Sequence, residues 1–527
     1  MSFRDKIAGR EPVDLLVVNA RIINPSLGQI VDDHVAVADG KFAGFGQKKS
    51  VKVFDAGGAY IIPGFIDPHT HPETPVSHPL RSFASMLRRG VTTAVFNPSN
   101  TANATGLAGV RYLDQTTRDF EKNILFYAPS SVPPYKFEDY GVDLSYLDLA
   151  CFAAEPKFVG LSEIIDPNGD GMDMKIKLFR NKVVDGHARG LGGRALEEYF
   201  SAGASCDHEC KTPEEAEERL AMGVRIMARE GSFDRDLISV LKACNSENQH
   251  FFSFCTDHIK PSTLLEEGSI DNCIRKAVQS GVPLVRAVQM ATINTASALK
   301  MTDRGSFAIG KRADFVLIAP KMLNVVSTFL SGEQVSGELL DYLETCDLGR
   351  RPLNADLDFD IDDMDFRNSK IVDVGDGATG GYSSEPVFAC VINVRSGQKN
   401  VSFCRLAGFG RVSGAFATTT PIHSHNIFVL GSSAGLMKKA VSMIAGDGGV
   451  AVCGEDFCEF LQLPIFGIYS DLPIARVSEG MDKIQKAIEG IGIHEDMFGF
   501  VRRLTQPGFG TCLTSKGVFV CEDLKQK

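Results

Sequence analysis

Pro63-Gly64-Phe65-Ile66-Asp67-Pro68-His69-Thr70-His71 is the stretch that decides the fold, an apolar run ending in two histidines with one residue between them. Side chains alternate between the two faces of a β-strand, so His69 and His71 project together and Thr70 projects away. Two imidazoles on one face can grip one metal ion. By itself the pair is equally consistent with ordinary half-exposed strand histidines. The rest of the chain tips the balance by supplying further ligand types at the ends of later strand-like runs.

Those runs are Tyr60 to Asp67, Val91 to Asn97, Ile124 to Ser130, Phe158 to Ile164, Lys182 to Gly186, Ala204 to Asp207, Val224 to Ala228 and Phe251 to Cys255. Amphipathic helical stretches separate them, among them Pro79 to Arg89, Arg194 to Ser201, Pro213 to Leu220 and Asp234 to Cys244. Thr212 and Asp234 are the expected N-caps, and Pro213 takes the first helical position, where its missing N–H costs nothing. Eight strands alternating with helices predict an α/β fold, a (β/α)8 TIM-like barrel over 61–302, with reactive groups at the C-terminal strand ends. Two further helices, Asn272 to Gly281 and Val285 to Leu299, follow the last strand.

The flanks read differently. Short alternating strands from Leu15 to Phe45, with turn signals at Asn24-Pro25 and Asp39-Gly40, predict a small β-sandwich domain over 1–60, completed by returning strands in 303–335. An acidic linker over 336–380 carries Asp356, Asp358, Asp360, Asp362, Asp363 and Asp365. It lacks the EF-hand glycine and terminal glutamate, so it reads as a solvated segment rather than a calcium site. From 381 to 527 a separate α+β domain is expected. Its strands are Val391 to Val394, Asn426 to Leu430 and Gly449 to Cys453, and its helices are Leu436 to Ile444 and Val477 to Gly490.

A length of 527 residues exceeds what one core serves, while 44% apolar and 23% charged residues are ordinary for a globular enzyme. The net charge of -11 comes without a basic stripe, which argues against nucleic acid or an anionic membrane as main partner. Met1 to Glu11 carry no apolar leader and no run reaches membrane-spanning length, so a cytoplasmic chain is expected. The 13 cysteines lack Cys-x-x-Cys pairs, fit free thiols in a reducing compartment, and none is assigned to metal.

Six residues stand at expected strand ends: His69 and His71 after the first, Glu163 at the fourth, His187 after the fifth, His208 after the sixth and Asp257 after the eighth. Imidazole with carboxylate suits Zn, Mn or Fe, and one shared carboxylate can bridge two ions. Such a centre makes a hydroxide nucleophile at neutral pH. Asp257 would bind metal, take the proton of the attacking water and hand it to a leaving nitrogen. Asp207 and Glu209, either side of His208, are candidates to orient its ring.

The chain resembles the amidohydrolase superfamily through Pro-Gly-Phe-Ile-Asp-x-His-x-His at 63–71. It is similar, more narrowly, to the adenine deaminase family. That likeness rests on Gly160-Leu161-Ser162-Glu163, Val184-Asp185-Gly186-His187-Ala188-Arg189-Gly190-Leu191, Ser205-Cys206-Asp207-His208-Glu209-Cys210, Phe254-Cys255-Thr256-Asp257, Met290-Ala291-Thr292-Ile293-Asn294 and Ser424-His425-Asn426. The resemblance implies metal ligands His69, His71, Glu163, His187, His208 and Asp257, with Glu163 and Asp257 catalytic. It also implies two divalent ions, Mn or Fe ahead of Zn, and a homo-oligomer of at least two chains. The substrate it implies is a small amino-heterocycle, adenine or a relative, which loses its amine as ammonia. His425 is a candidate to reach over the barrel mouth.

The chain departs from the family pattern at Pro72-Glu73-Thr74-Pro75, at Ser99 and Asn100, at His258 in place of a second acid after Asp257, and at Ile422-His423. These changes bear on which ring is bound. Two alternatives follow: the same hydroxide acting on a different ring amine or cyclic amide, and a catalytically silent scaffold.

Overall fold

Eight parallel strands form the central layer: β1 (Phe65–Thr70), β2 (Val91–Phe96), β3 (Ile124–Ala128), β4 (Phe158–Ile164), β5 (Val183–Gly186), β6 (Cys206–Asp207), β7 (Arg225–Arg229) and β8 (Phe252–Cys255). They are seen in a computed structural model that describes residues 2–355, 361, 364–374, 386–397, 400–408, 411–507 and 511–520. The strands pair in the orders β5-β4-β3-β2-β1 and β6-β7-β8. The two sheets curl together at two seams. At one, Ser205 N donates to Val184 O at 2.9 Å. At the other, His71 N donates to Asp257 O at 2.8 Å and Asp257 N to His69 O at 2.9 Å.

β2 and β3 are buried at every residue, as strands covered on both faces must be. Their inward side chains fill the barrel: Ile66, Val95, Leu125, Tyr127, Val183, Cys206, Met227 and Cys255 form one cluster, close to one side chain per strand. Outward side chains such as Phe96, Phe126 and Phe158 meet the helices, with Phe152 stacked on Phe158 at 4.2 Å between ring centroids. Gly186 has no alternative where β5 nears β6, since a Cβ there would lie 2.4 Å from the Cys206 carbonyl.

The run Tyr60 to Asp67 is two strands rather than one. Tyr60–Pro63 belongs to a flanking sheet and β1 starts after Gly64. Gly64 allows the switch because a Cβ would sit 2.1 Å from Thr92 Oγ1. The flanking sheet runs, in order, Glu333–Gln334, Val325–Leu330, Phe315–Ile318, Tyr60–Pro63, Val13–Asn24, Gln29–Ala38 and Lys41–Phe45, with Ser50–Asp55 beside Val13–Asn24. Residues before and after the barrel thus share one sheet.

Two helical expectations need correction. The stretch Asp234 to Cys244 is helical only at Leu237–Val240, followed by a 3-10 turn at Leu241–Ala243. Asp234 does not cap it, because its carboxylate is taken by Lys211 Nζ at 3.1 Å and by Arg502 at 3.3 Å. Val285 to Leu299 breaks at Thr292 (φ -134°, ψ -88°) into Leu284–Ala291 and Ile293–Ala298. Thr212 does cap Pro213–Ala221, reciprocally with Glu215.

Within the expected linker lies a helix, Gly337–Thr345, capped by Ser336 and anchored by buried Leu343. Asp356, Asp358, Asp360, Asp362 and Asp363 lie outside the described residues. Asp365 accepts from Asn368 N at 3.3 Å.

Beyond it stands a seven-stranded sheet ordered Ile371–Asp373, Val401–Ala407, Val387–Ile392, Ile427–Gly431, Ala415–Thr418, Gly449–Cys453 and Cys458–Gln462. Alternation along Gly449–Cys453 divides its two faces. Val450 and Val452 pack with the helices Ile474–Gly490 and Met497–Thr505, whereas Ala451 and Cys453 pack with Ala434–Ile444. This layer sits over the C-terminal end of the barrel. Ser515 N and Oγ donate to the Asp139 carboxylate at 2.5 and 2.6 Å, and Asn103 Nδ2 donates to His423 O at 2.8 Å. No helix among the described residues is long and apolar enough to cross a membrane.

Candidate active site

The barrel brings all six sequence-predicted residues to its C-terminal end. His69, His71 and Asp257 offer ligand atoms within 4.8 Å of one another, as do His69, Glu163 and His208. A third such group is His187, His208 and Glu209. Glu163 stands between them: Oε1 lies 3.5 Å from His71 Nε2, while Oε2 lies 3.0 Å from His187 Nδ1 and 3.3 Å from His208 Nε2. One carboxylate therefore faces two sets of imidazoles, the disposition a bridging ligand needs. Asn97 Nδ2 fixes it by donating to Oε1 at 2.8 Å.

Asp257 has a left-handed backbone, φ 54°, held there by the two hydrogen bonds that close β8 on β1. Its Oδ2 accepts from Arg229 Nη1 at 3.1 Å. Its Oδ1 lies 3.4 Å from His71 Nε2 and 3.6 Å from His69 Nε2.

Two participants, Asp185 and Arg229, escaped the sequence reading, and Glu209, expected to orient His208, stands closer to the cluster than that. Asp185 Oδ2 lies 2.7 Å from His69 Nδ1, so that nitrogen carries the proton and Nε2 presents a lone pair to the cluster. Asp185 and His187 are two apart along the chain, and the same alternation that pairs His69 with His71 is the signal that marks it. Arg229, fully buried at the end of β7, reaches Glu209 at 2.6 Å as well as Asp257. Nothing in its local sequence distinguishes it from a surface strand-end arginine. Glu209 is itself within the cluster, 3.4 Å from His187 Nδ1.

Other expectations are displaced. Asp207 does not orient His208: its carboxylate accepts from Arg219 Nε at 2.6 Å and Ala188 N at 3.0 Å. His425 does not reach the barrel mouth. It is buried, with Nδ1 3.0 Å from Thr419 O, and faces a separate small void beside Glu73 and Phe498. His423, two residues earlier, lines the main cavity instead.

That cavity has a volume of about 250 Å³. Its floor includes His71, Glu163, His187, Glu209 and Asp257. The departures Ser99, Asn100, His258 and Ile422 all line it, so they sit where a ligand would be read. Pro72 is buried beside it in sequence but does not line it. The rings of His258 and His71 stack at 4.1 Å, and Thr74 Oγ1 lies 2.6 Å from His258 Nδ1.

The electrostatics favour a bound cation. Burial, joined by nearby His258, pushes His71 well below its ordinary value, leaving the neutral lone-pair form that ligates metal. Burial alone would raise Glu163, but hydrogen bonds from His187 and His208 hold it well below the carboxylate range. Burial would also lower His208, yet Asp185 and Glu163 draw a proton onto it. Glu163, Asp185, Glu209 and Asp257 converge within the buried site, where Arg229 answers Glu209 and Asp257 while protonated imidazole or a bound cation can answer Glu163 and Asp185. Among the described buried atoms, His71 Nδ1, His208 Nδ1 and Glu209 Oε2 have no hydrogen-bond partner. This nitrogen and oxygen donor set fits a divalent transition metal.

Comparison with known proteins agrees with this chemistry. Residues 60–335 match the amidohydrolase family and residues 368–523 the adenine deaminase C-terminal domain. The chain is similar to the adenine deaminase of Nitratidesulfovibrio vulgaris strain DP4, 34% identical, with 98% of this chain and 96% of the relative covered. The adenine deaminase of Desulfatibacillum aliphaticivorans is 32% identical over 95% of this chain and 94% of its own length. That of Kosmotoga olearia is 32% identical over 92% and 90%.

Proposed function

The chain belongs to the adenine deaminase family of amidohydrolases, and from that premise we propose that it hydrolyses adenine to hypoxanthine and ammonia at the cavity over β1, β4–β6 and β8. The observation that carries the reading is the position of Glu163, whose two oxygens face two separate groups of imidazoles at the floor of that cavity.

Two divalent ions, Mn or Fe ahead of Zn, would be held by His69, His71, Glu163, His187, His208 and Asp257, with Glu209 adjacent to the second group. Bound there, such ions supply Lewis acidity, lowering the pKa of water so that a nucleophile exists at neutral pH. The protein's own groups do the rest. Asp185 sets the tautomer of His69, and Arg229 ties down Asp257 Oδ2. Asp257 Oδ1, turned toward the cluster, takes the proton of the incoming water and passes it to the departing amine nitrogen. A C–O bond forms at the ring carbon as its C–N bond breaks, and ammonia leaves. Residues of the last domain form part of the cavity wall.

We place the protein in the cytoplasm, supported by described cysteines that are all free thiols, and expect an oligomer of at least two chains. The deciding experiment is ammonia release by the Mn- or Fe-loaded protein offered adenine, other aminopurines, aminopyrimidines, pterins and cyclic amides. Turnover of adenine supports the assignment. Silence on adenine with turnover of another ring would move the protein to that substrate, and the changed cavity residues Ser99, Asn100, His258 and Ile422 would be the cause.

A further inference from the structure

The cavity has a second wall, and it comes from the last domain: Ile422, His423, Arg502, Gln506 and Pro507. At about 250 Å³ the space is small for a ligand site, so a two-ring heterocycle with its reacting carbon over the floor extends toward that wall.

The polar groups of the wall form a chain with a fixed direction. Arg502, paired with Asp234 at 3.3 Å, donates from Nε to Gln506 Oε1 at 2.7 Å. A guanidinium has only donors, so Oε1 must be the end of the carboxamide that faces it. Gln506 Nε2 then lies 3.3 Å from His423 Nε2. His423 Nδ1 lies 2.9 and 3.0 Å from the two oxygens of Glu138, which only accept when ionised. The proton of His423 is therefore on Nδ1, and its Nε2 accepts from Gln506. A carboxamide nitrogen carries two protons. Among the described residues the chain of contacts uses one, which leaves the other for the cavity that Gln506 lines.

We propose that Gln506 is a specificity-determining residue contributed by the last domain. Its carboxamide N–H donates to a ring nitrogen of the amino-heterocycle, in the orientation imposed by Arg502 and His423. The proposal rests on the adenine assignment. It makes the second domain part of substrate recognition: a ring with C–H in place of that nitrogen leaves the donor unpaired and is rejected.

The test uses calorimetric binding of adenine and its 1-deaza, 3-deaza and 7-deaza analogues to the full-length, metal-loaded protein and to Gln506→Leu and Gln506→Glu. Both variants should bind adenine about 10- to 100-fold more weakly, with metal content and melting temperature unchanged. Gln506→Glu retains an acceptor for Arg502 while replacing the N–H donor toward both His423 and the cavity with a charged oxygen, so it still reports loss of the donor if Gln506→Leu fails to fold. One deaza analogue should bind the wild type as weakly as adenine binds the variants, and the variants should not distinguish that analogue from adenine. Unchanged adenine affinity in the variants, or an equal loss for adenine and every analogue, would overturn the contact. Ammonia release from adenine by the wild type is measured alongside. Its absence would overturn the adenine assignment and this contact together, whereas turnover with unaltered variant affinity would overturn the contact alone.

Discussion

Asp257 and Arg229 show how much of the site depends on single side chains. With Oδ2 on Arg229 and Oδ1 on the cluster, Asp257 has one oxygen fixed in position and one turned to the cluster, the one to which we assign proton transfer. Asp257→Asn should lower the rate of ammonia release by about 10²- to 10⁴-fold while thermal melting stays close to wild type. Ordinary turnover in that variant would remove the proton-transfer role. Arg229 is buried among Glu209, Asp257, Asp234 and Asp236. Arg229→Met leaves these carboxylates facing one another, and denaturant unfolding should show a loss of about 3–5 kcal/mol. Stability equal to wild type would mean that the acids find other partners. His69 and His71 were legible because strand alternation is a local rule. Arg229 was not, because its importance lies in acids that reach it from β6, from the turn after β8 and from the loop that follows its own strand.

At the scale of elements, helix ends carry the clearest consequences. Pro213–Ala221 starts with the Thr212 and Glu215 capping box, and Thr212→Ala should cost about 1 kcal/mol in denaturant unfolding. The helix Pro79–Arg88 starts differently, with His78 Nδ1 accepting from Leu80 N and Nε2 donating to Thr116 Oγ1 at 2.9 Å. Burial, then the charge of Arg81, hold His78 down to about 3, and the other groups facing it are the rings of Tyr112 and Tyr469. The folded state therefore refuses a proton that the unfolded chain takes near 6.5. Its contribution is complete above that pH and is lost as pH falls toward 3, by at most about 1.4 kcal/mol per unit. Unfolding free energies at pH 7, 5.5 and 4.5 should fall less steeply in His78→Gln than in wild type, and equal slopes would reject the assignment. Thr212 was readable as a cap-forming residue followed by proline at the first helical position. Asp234, also of a cap-forming type, does not cap, because Lys211 and Arg502 compete for its carboxylate.

At the scale of the whole molecule, the candidate ligand groups come from β1, β4, β5, β6 and β8, so a metal ion that binds only their folded arrangement would stabilise all of it. Exhaustive chelation should lower the melting temperature and abolish ammonia release, and reloading with Mn or Fe should restore both, with two equivalents bound. A melting temperature indifferent to metal would count against a structural link between these strands. The last domain belongs to the same unit through Asp139 and Ser515, Asn103 and His423, and Asp234 and Arg502.

The amino-acid sequence by itself determined the strand and helix alternation of the barrel, its flanking sheet and the convergence of six candidate ligands at strand ends. Those features follow from periods of two and of about 3.6 residues, and from the barrel rule that strand ends meet. Only the tertiary structure decided that Gly64 divides one apolar run between two sheets, and that Asp185 rather than Asp207 orients the cluster. It also decided that His423 rather than His425 faces the cavity. Each of these depends on which of two neighbouring side chains finds a partner far away in the chain. No local pattern encodes that choice, because the partner's position is set by the packing of the whole fold.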